Sequence, residues 1–308
     1  MSETGRGVGF ASAGGLAVVR IERERGNAID SGLLEGLLAA ASRAGADPSV
    51  RGVLLASGGS LFSPGLDLIE LVGFDRPAMR GFMARFAECL TAWYALPKPV
   101  VAALSGHAVA GGCVLALVAD LRILKEGARI GLNEMRVGVP LPYGVALILR
   151  DSVHRDRLEE VALLGRNYTG RDAVEVGLVH EVHGAEGFEE RCLARLRELA
   201  SGPPLAFAAT KRYLRSAVLE RLRSEPPERL EAFLDGWLEE DPFAPAAVKA
   251  FHALSLLVDE DGDLHRVQPT SAGPTNGDLF PTDDPRHNLN FGVGAYLMAA
   301  AEVSRLPS

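Results

Sequence analysis

The stretch that decides the fold is Val100-Val-Ala-Ala-Leu-Ser-Gly-His-Ala-Val-Ala-Gly-Gly-Cys-Val-Leu-Ala-Leu-Val-Ala119. It is apolar and about long enough to span a bilayer, and His107 is its one strongly polar side chain. Three glycines interrupt it, however, and two prolines precede it. Such a run is typical of a buried strand, a glycine turn and a buried helix. We therefore predict a strand over 100–104, a turn over 105–110 and a helix over 112–119, and no membrane span.

Composition narrows the class of protein. The chain has 308 residues with 32 Lys and Arg against 40 Asp and Glu, and this net charge of -8 argues against nucleic-acid binding. Its three cysteines lack metal-ligand spacing, and their odd number is typical of a reducing compartment. Residues 1–6 lack the apolar core of a signal peptide. We expect a soluble, cytoplasmic protein with no metal site, no nucleic-acid partner and no membrane association.

Strands and helices alternate on both sides of the opening stretch. The sequence predicts strands over 16–22, 50–56 and 121–124. It also predicts one helix that begins near Asp30 and a second helix over 76–96. Alternation over about 130 residues requires crossover connections, so it indicates an α/β core.

The second half of the chain is mainly helical by its pattern. We predict helices over 155–164, 188–200, 204–221 and 227–238, and a last one over 293–306. Near Val258 the composition changes to acidic, proline-rich and glycine-rich linker material. We therefore expect three regions: a core over 1–200, a helical region over 201–257 and an atypical tail over 258–308.

Two glycine turns each join a strand to a helix. One contains Ser63-Pro-Gly-Leu-Asp67, and the other contains the glycines of the opening stretch. Backbone N–H groups at helix starts are free donors at the positive end of the helix dipole. Two such turns on neighbouring strands could direct two N–H groups at one oxygen and form an oxyanion hole.

These segments resemble the crotonase (enoyl-CoA hydratase/isomerase) superfamily. The segments that carry the resemblance are Phe62-Ser-Pro-Gly-Leu-Asp-Leu68, 106–123, Gly131-Leu-Asn-Glu-Met-Arg-Val-Gly-Val-Pro140 and 170–179. The resemblance implies an α/β fold, a spiral of ββα units with a helical C-terminal region, usually assembled as a trimer or hexamer. It also implies an acyl-CoA thioester as the substrate and no separate cofactor, because coenzyme A is part of that substrate.

The resemblance also implies the site residues. The two oxyanion donors would be the backbone amides of Leu66 and Gly111, and the acid/base would be Glu134. The residues that would line the substrate site are Ser63, Gly65, Asp67, Gly112, Val114 and Tyr143.

One departure from the family pattern bears on the reaction. Hydratases of the family have one glutamate at the position of Val114 and a second at the position of Glu134. Together the two glutamates hold and activate a water molecule. Valine can do neither, so the pattern is more similar to that of Δ3,Δ2-enoyl-CoA isomerases, which use one glutamate. Other enolate reactions (hydration, decarboxylation or thioester hydrolysis) and a catalytically silent acyl-CoA-binding scaffold remain alternatives.

Several of these polar residues also have a structural interpretation. Glu134 could pair with Arg136, Asp67 could cap a helix, and His107 could support its turn. Asp120 and Arg122 could form a buried structural pair. Lys211 and Arg212 could be a solvated helix face or could contact the CoA phosphates. In the tail, 290–303 is faintly similar to unsaturated glucuronyl hydrolases, which supports no hydrolase activity.

Overall fold

A seven-stranded sheet forms the larger of two sheets in the computed structural model, which describes residues 2–3, 7–23 and 26–238. Its strands lie in the order β1-β2-β3-β4-β6-β8-β11. The first three strands pair antiparallel, and the others pair parallel. The strand bounds are Ser2–Glu3 (β1), Val8–Ala13 (β2), Leu16–Ile21 (β3), Gly52–Ser57 (β4), Val100–Leu104 (β6), Leu121–Lys125 (β8) and Glu181–His183 (β11).

A second sheet of four short strands carries the two glycine turns. Its order is β10-β9-β7-β5, with β5, β7 and β9 parallel and β10 antiparallel. Its strand bounds are Leu61–Ser63 (β5), His107–Val109 (β7), Arg129–Gly131 (β9) and Asn167–Thr169 (β10). Each of the pairs β4 and β5, β6 and β7, and β8 and β9 thus contributes one strand to each sheet.

Ten α-helices follow or connect these strands in the described residues. They are Ser31–Ala46 (α1), Leu68–Leu71 (α2), Arg76–Tyr94 (α3), Gly111–Leu117 (α4), Tyr143–Ser152 (α5), Leu158–Leu163 (α6), Gly170–Glu175 (α7), Phe188–Ala200 (α8), Pro204–Arg223 (α9) and Pro227–Leu238 (α10). Two 3-10 turns cover Glu134–Val137 and Arg155–Arg157. The predicted helix over 155–164 is therefore a 3-10 turn followed by α6.

The opening stretch forms the predicted strand, β6, and the predicted buried helix, α4, which begins at Gly111 and ends at Leu117. The predicted turn over 105–110 instead contains the short strand β7. No helix in the described part of the chain is both long and apolar enough to cross a bilayer. The described residues 201–238 belong to the same compact unit as the core. The predicted boundary at 257, the tail and the helix over 293–306 lie outside the described residues.

Asp120 and Arg122 do not form the pair that the sequence suggested. Arg122 is buried and donates hydrogen bonds to backbone carbonyls, including those of Leu178 (2.7 Å) and Gly177 (3.2 Å). Asp120 directly precedes β8 and Arg122 lies within it, and the two side chains have different partners.

Asp120 instead binds two cations of α9. Its carboxylate lies 2.7 Å from Lys211 Nζ and 3.0 Å from an Arg215 guanidinium nitrogen. Burial lowers the pKa of Lys211 to about 8, although the charge of Asp120 opposes this change. Lys211 is therefore an internal residue that fastens α9 to the core, and its interpretation as a solvated residue was wrong.

Candidate active site

The two glycine turns meet at Gly65 and Gly111. Gly65 follows β5 with φ of +109°, a conformation that side chains rarely adopt. A Cβ atom on Gly65 would lie 3.1 Å from the backbone nitrogen of Gly111 and 3.0 Å from the Cβ of Ala110. Ala110 itself has φ of +50°, which is uncommon for a residue with a side chain. The backbone is thus held in a constrained arrangement that brings the two turns together.

The N–H of Leu66 points away from its neighbouring backbone segment. Ile29 forms a parallel bridge with Leu66, in which Ile29 N–H donates to Gly65 O (2.8 Å) and Asp67 N–H donates to Ile29 O (2.9 Å). Because consecutive N–H groups in extended backbone point in opposite directions, the N–H of Leu66 faces the side opposite Ile29. The N–H of Gly111 lies in the first turn of α4, so it has no acceptor within the helix.

Ser63 and Gly112 determine how closely α4 approaches β5. Ser63 is fully buried, and its Oγ accepts a hydrogen bond from Gly65 N–H at 3.2 Å. A Cβ on Gly112 would lie 2.1 Å from Ser63 O, which no side chain could accommodate. These predicted substrate-site residues therefore shape the backbone around the two amides.

Asp67 and His107 have the structural roles that their sequence contexts suggested. Asp67 is the N-cap of α2, and its Oδ1 accepts from the N–H of Ile69 (3.0 Å) and Glu70 (3.3 Å). His107 Nδ1 accepts from Arg129 N–H at 3.0 Å and so links β7 to β9. Burial lowers the pKa of His107, and nearby cations lower it further, so its imidazole is neutral near pH 7.

Glu134 carries an unpaired buried carboxyl oxygen. It begins the 3-10 turn after β9, and this turn ends at Gly138 in the left-handed conformation. Among the described residues, its Oε2 is the one buried side-chain nitrogen or oxygen without a hydrogen-bond partner. Burial raises the pKa of Glu134 to about 7, although the backbone N–H groups of Glu134 and Asn133 oppose this. Such a carboxyl group can exchange a proton near neutral pH.

Glu134 does not form the alternative pair with Arg136. No ion pair in the described segments includes Glu134, and Arg136 is exposed. The Cβ position of Gly165 lies 2.8 Å from Arg136 Cγ, so the arginine stem packs over this glycine instead.

The segment that carries Glu134 is joined to the start of α4. Val109 of β7 pairs with Gly131 of β9, and Ala110 N–H donates to Gly131 O at 2.9 Å. Glu134 follows Gly131 by three residues, and Gly111 follows Ala110 directly. The segment that carries Glu134 is therefore tied to the segment that carries Gly111 by strand pairing and by this hydrogen bond.

Val114 and Tyr143 lie on neighbouring helices. Val114 is 1% exposed on α4, so an apolar side chain occupies this buried position. Tyr143 begins α5 and is half-buried, and the guanidinium of Arg229 lies 3.7 Å from its ring centre. This stacking indicates a packing contact between α5 and α10.

The arrangement supports enolate chemistry. Two backbone N–H groups can stabilise an oxyanion, and one carboxyl group with a raised pKa can move a proton. No group of three or more potential metal-binding side chains occurs in the described part of the chain.

Sequence comparison identifies the family. The family model described as enoyl-CoA hydratase/isomerase matches residues 11–233. The chain belongs to this enoyl-CoA hydratase/isomerase family. This match confirms the predicted family, and the likeness to solved structures of the family confirms the predicted fold.

The relatives of this chain differ in the activity that their names give. A putative enoyl-CoA hydratase of Thermus thermophilus is 33% identical over 245 residues, which are 77% of this chain and 94% of that protein. Human mitochondrial enoyl-CoA delta isomerase 1 is 29% identical over 71% of this chain and 74% of its own length. The crystal structure of human mitochondrial delta3-delta2-enoyl-CoA isomerase superposes with a TM-score of 0.74 at 26% identity, covering 80% of this chain and 97% of that one.

Sequence reasoning missed two supports of the site. Ile29 holds the Leu66 turn through backbone hydrogen bonds, which leave no side-chain signal. Arg229 covers Tyr143 from 86 positions further along the chain, and only the three-dimensional fold brings them together.

Proposed function

We propose that this protein isomerises 3-enoyl-CoA to trans-2-enoyl-CoA. The observation that carries the proposal is the buried carboxyl group of Glu134, whose Oε2 has no hydrogen-bond partner. It is supported by Val114, which stands where the family resemblance places the second glutamate of hydratases. An isomerase needs one group that removes and returns the same proton, whereas a hydratase must also hold water. The apolar Val114 favours the first reaction because its side chain can neither hold nor activate a water molecule.

The reaction moves one proton and one double bond. The Glu134 carboxylate removes a proton from C2, and the electrons of that C–H bond form an enolate with negative charge on the thioester oxygen. The N–H groups of Leu66 and Gly111 donate hydrogen bonds to this oxygen. Protonated Glu134 then returns the proton to C4, and the double bond shifts from C3–C4 to C2–C3. A pKa of about 7 suits both steps.

A substrate panel tests the proposal. Saturated, 2-enoyl and 3-enoyl thioesters of CoA are incubated with purified protein, and the products are identified by chromatography and mass spectrometry. We expect 3-enoyl thioesters to be converted and Glu134→Gln to lose at least about 100-fold in kcat. The exposed Glu159→Gln variant is the control. Full activity of Glu134→Gln, or no conversion of any 3-enoyl thioester, contradicts the proposal.

A second candidate is a different enolate reaction within the family. It is supported by the relatives that carry hydratase names. Hydration, decarboxylation or thioester hydrolysis in the same panel would favour this candidate. Binding of acyl-CoA without any turnover would favour the silent scaffold instead.

We also propose that the protein acts in the cytoplasm as a homotrimer or hexamer without a separate cofactor. The three buried cysteines are free thiols, which a reducing compartment preserves. Sedimentation velocity measures the assembly directly, and a monomer at micromolar concentration would contradict this proposal.

A further inference from the structure

Glu70 joins α2, the helix that follows the Leu66 turn, to the start of α1. Its Oε2 accepts a hydrogen bond from the Ser31 N–H at 3.0 Å, and both residues are half-buried. Ser31 is the first residue of α1, and an N–H in the first turn of a helix has no acceptor within that helix. The Glu70 carboxylate thus supplies an acceptor from another element, and its negative charge lies at the positive end of the α1 dipole.

Two backbone hydrogen bonds lie beside this contact. Ile29 N–H donates to Gly65 O at 2.8 Å, and Asp67 N–H donates to Ile29 O at 2.9 Å. These two bonds flank the peptide of Leu66, whose N–H is a proposed oxyanion donor. The backbone around the start of α1 therefore holds the Leu66 turn and α2 at three places, and Glu70 makes the one of these three contacts that uses a side chain.

The lengths of α1 and α2 indicate which element holds the other. α2 has only the four residues Leu68–Leu71, and a helix this short is not stable without contacts to other elements. α1 has 16 residues, and its Leu33, Leu34 and Leu37 side chains are at most 1% exposed. α1 is therefore the fixed element, and the contact with Glu70 fixes α2 and the preceding turn relative to it.

We propose that Glu70 is a positioning residue that holds the Leu66 N–H in the orientation needed to donate to the thioester oxygen. Oxyanion stabilisation depends on donors that are fixed before the reaction, because a displaced N–H loses its distance and angle to the developing charge. Without the Glu70 acceptor, the turn keeps two backbone hydrogen bonds but loses its side-chain link to α1. The role in activity rests on the proposed function of the Leu66 amide, whereas the link between Glu70 and the turn does not.

The test compares Glu70→Ala, which removes the acceptor, with Glu70→Gln, which retains a carbonyl oxygen. Asp75→Ala is the matched control, because Asp75 caps α3 by accepting from Ala78 N–H at 2.9 Å and takes no part in the three contacts. The probe is hexanoyl-CoA labelled with carbon-13 at the thioester carbon, a saturated ligand with no double bond to move. Infrared difference spectroscopy measures how far its carbonyl stretch falls on binding, which reports the hydrogen bonds that polarise the carbonyl group.

We expect a smaller carbonyl shift in Glu70→Ala than in the wild type, and recovery of most of the shift in Glu70→Gln. With 3-enoyl-CoA as the substrate, Glu70→Ala should lower kcat by about 10–100-fold and change KM by less than about threefold, because a misplaced donor weakens transition-state binding more than ground-state binding. Asp75→Ala should keep the wild-type carbonyl shift and kcat, although loss of its helix cap should lower the melting temperature. If Glu70→Ala does not fold, Glu70→Asp takes its place, because it withdraws the acceptor by one methylene group and keeps the charge.

Two results overturn the proposal. A wild-type carbonyl shift in Glu70→Ala would show that the Leu66 N–H keeps its orientation without Glu70. An equal loss of the shift in Glu70→Ala and Asp75→Ala would assign the effect to general destabilisation.

Failure of the proposed function gives a different result. If the wild type binds no acyl-CoA, the proposed function is refuted, and hydrogen exchange in the free protein then tests the link to the turn. The peptide that contains Leu66 should exchange faster in Glu70→Ala than in the wild type and in Asp75→Ala. Equal exchange in all three proteins would refute the link itself.

Discussion

Glu134→Gln should make the folded protein more stable at alkaline pH while it abolishes isomerisation. In the unfolded chain Glu134 ionises near pH 4.5, and in the folded protein it ionises near pH 7. The folded state therefore binds more protons between these values, so its stability falls as pH rises from about 4.5 to about 7. At about 1.4 kcal/mol for each unit of pKa, the full cost is about 3 kcal/mol above pH 7.

Glutamine has nearly the same shape and no charge, so the variant should recover most of this cost. Urea denaturation at pH 8 should show a free energy of unfolding higher than that of the wild type by about 1–3 kcal/mol, because the buried amide still lacks some partners. At pH 5 the difference should be below about 1 kcal/mol. The exposed Glu175→Gln variant should show no such pH dependence. A Glu134→Gln variant that is no more stable than the wild type at pH 8 would refute this account of the buried charge.

Three further substitutions test other parts of the structure. Val114→Glu should raise the ratio of hydration to isomerisation, measured by product chromatography, because a second carboxyl group can hold water; an unchanged ratio contradicts the role given to valine. Gly65→Ala should lower kcat by about 10²–10³-fold, because its Cβ would disturb the amide of α4 at 3.1 Å. Gly59 also has a positive φ, but a Cβ at this position would meet no atom within 4 Å. The Gly59→Ala variant should therefore keep its activity. Asp120→Asn should lower the free energy of unfolding by about 3–5 kcal/mol in urea, because the buried Lys211 and the partly buried Arg215 lose their carboxylate partner. Glu175→Gln, at an exposed ion pair, should cost below about 1 kcal/mol.

Local pattern predicted the long elements because each of them buries a continuous apolar face. The predicted strand over 100–104 and helix over 188–200 have the observed bounds, and the helix predicted over 76–96 is Arg76–Tyr94. The second sheet was not predicted, since its strands are three residues long. His107–Val109 lies within the segment that the sequence predicted as a turn, and so short a strand shows no period.

The sequence could indicate residues of the candidate site only where a family motif specifies the amino acid at that position. Those motifs pointed to Glu134, but its unpaired oxygen depends on neighbours from other elements. The pairing of Asp120 with Lys211 joins positions 91 residues apart, and an i, i+2 spacing to Arg122 suggested the wrong partner. Sequence distance gives no information about such contacts, because the fold decides which buried charges meet.

The contact between Gly65 and Gly111 has a consequence for how new reactions can arise on this scaffold. Both proposed oxyanion donors are main-chain groups whose positions depend on glycine geometry and on a backbone hydrogen bond. Substitution of the side chains at 114 and 134 leaves those donors in place. In the proposed mechanism, the main chain stabilises the enolate, and separate side chains determine which product the enolate forms. One or two side-chain substitutions can therefore change the product and leave the main-chain donors in place.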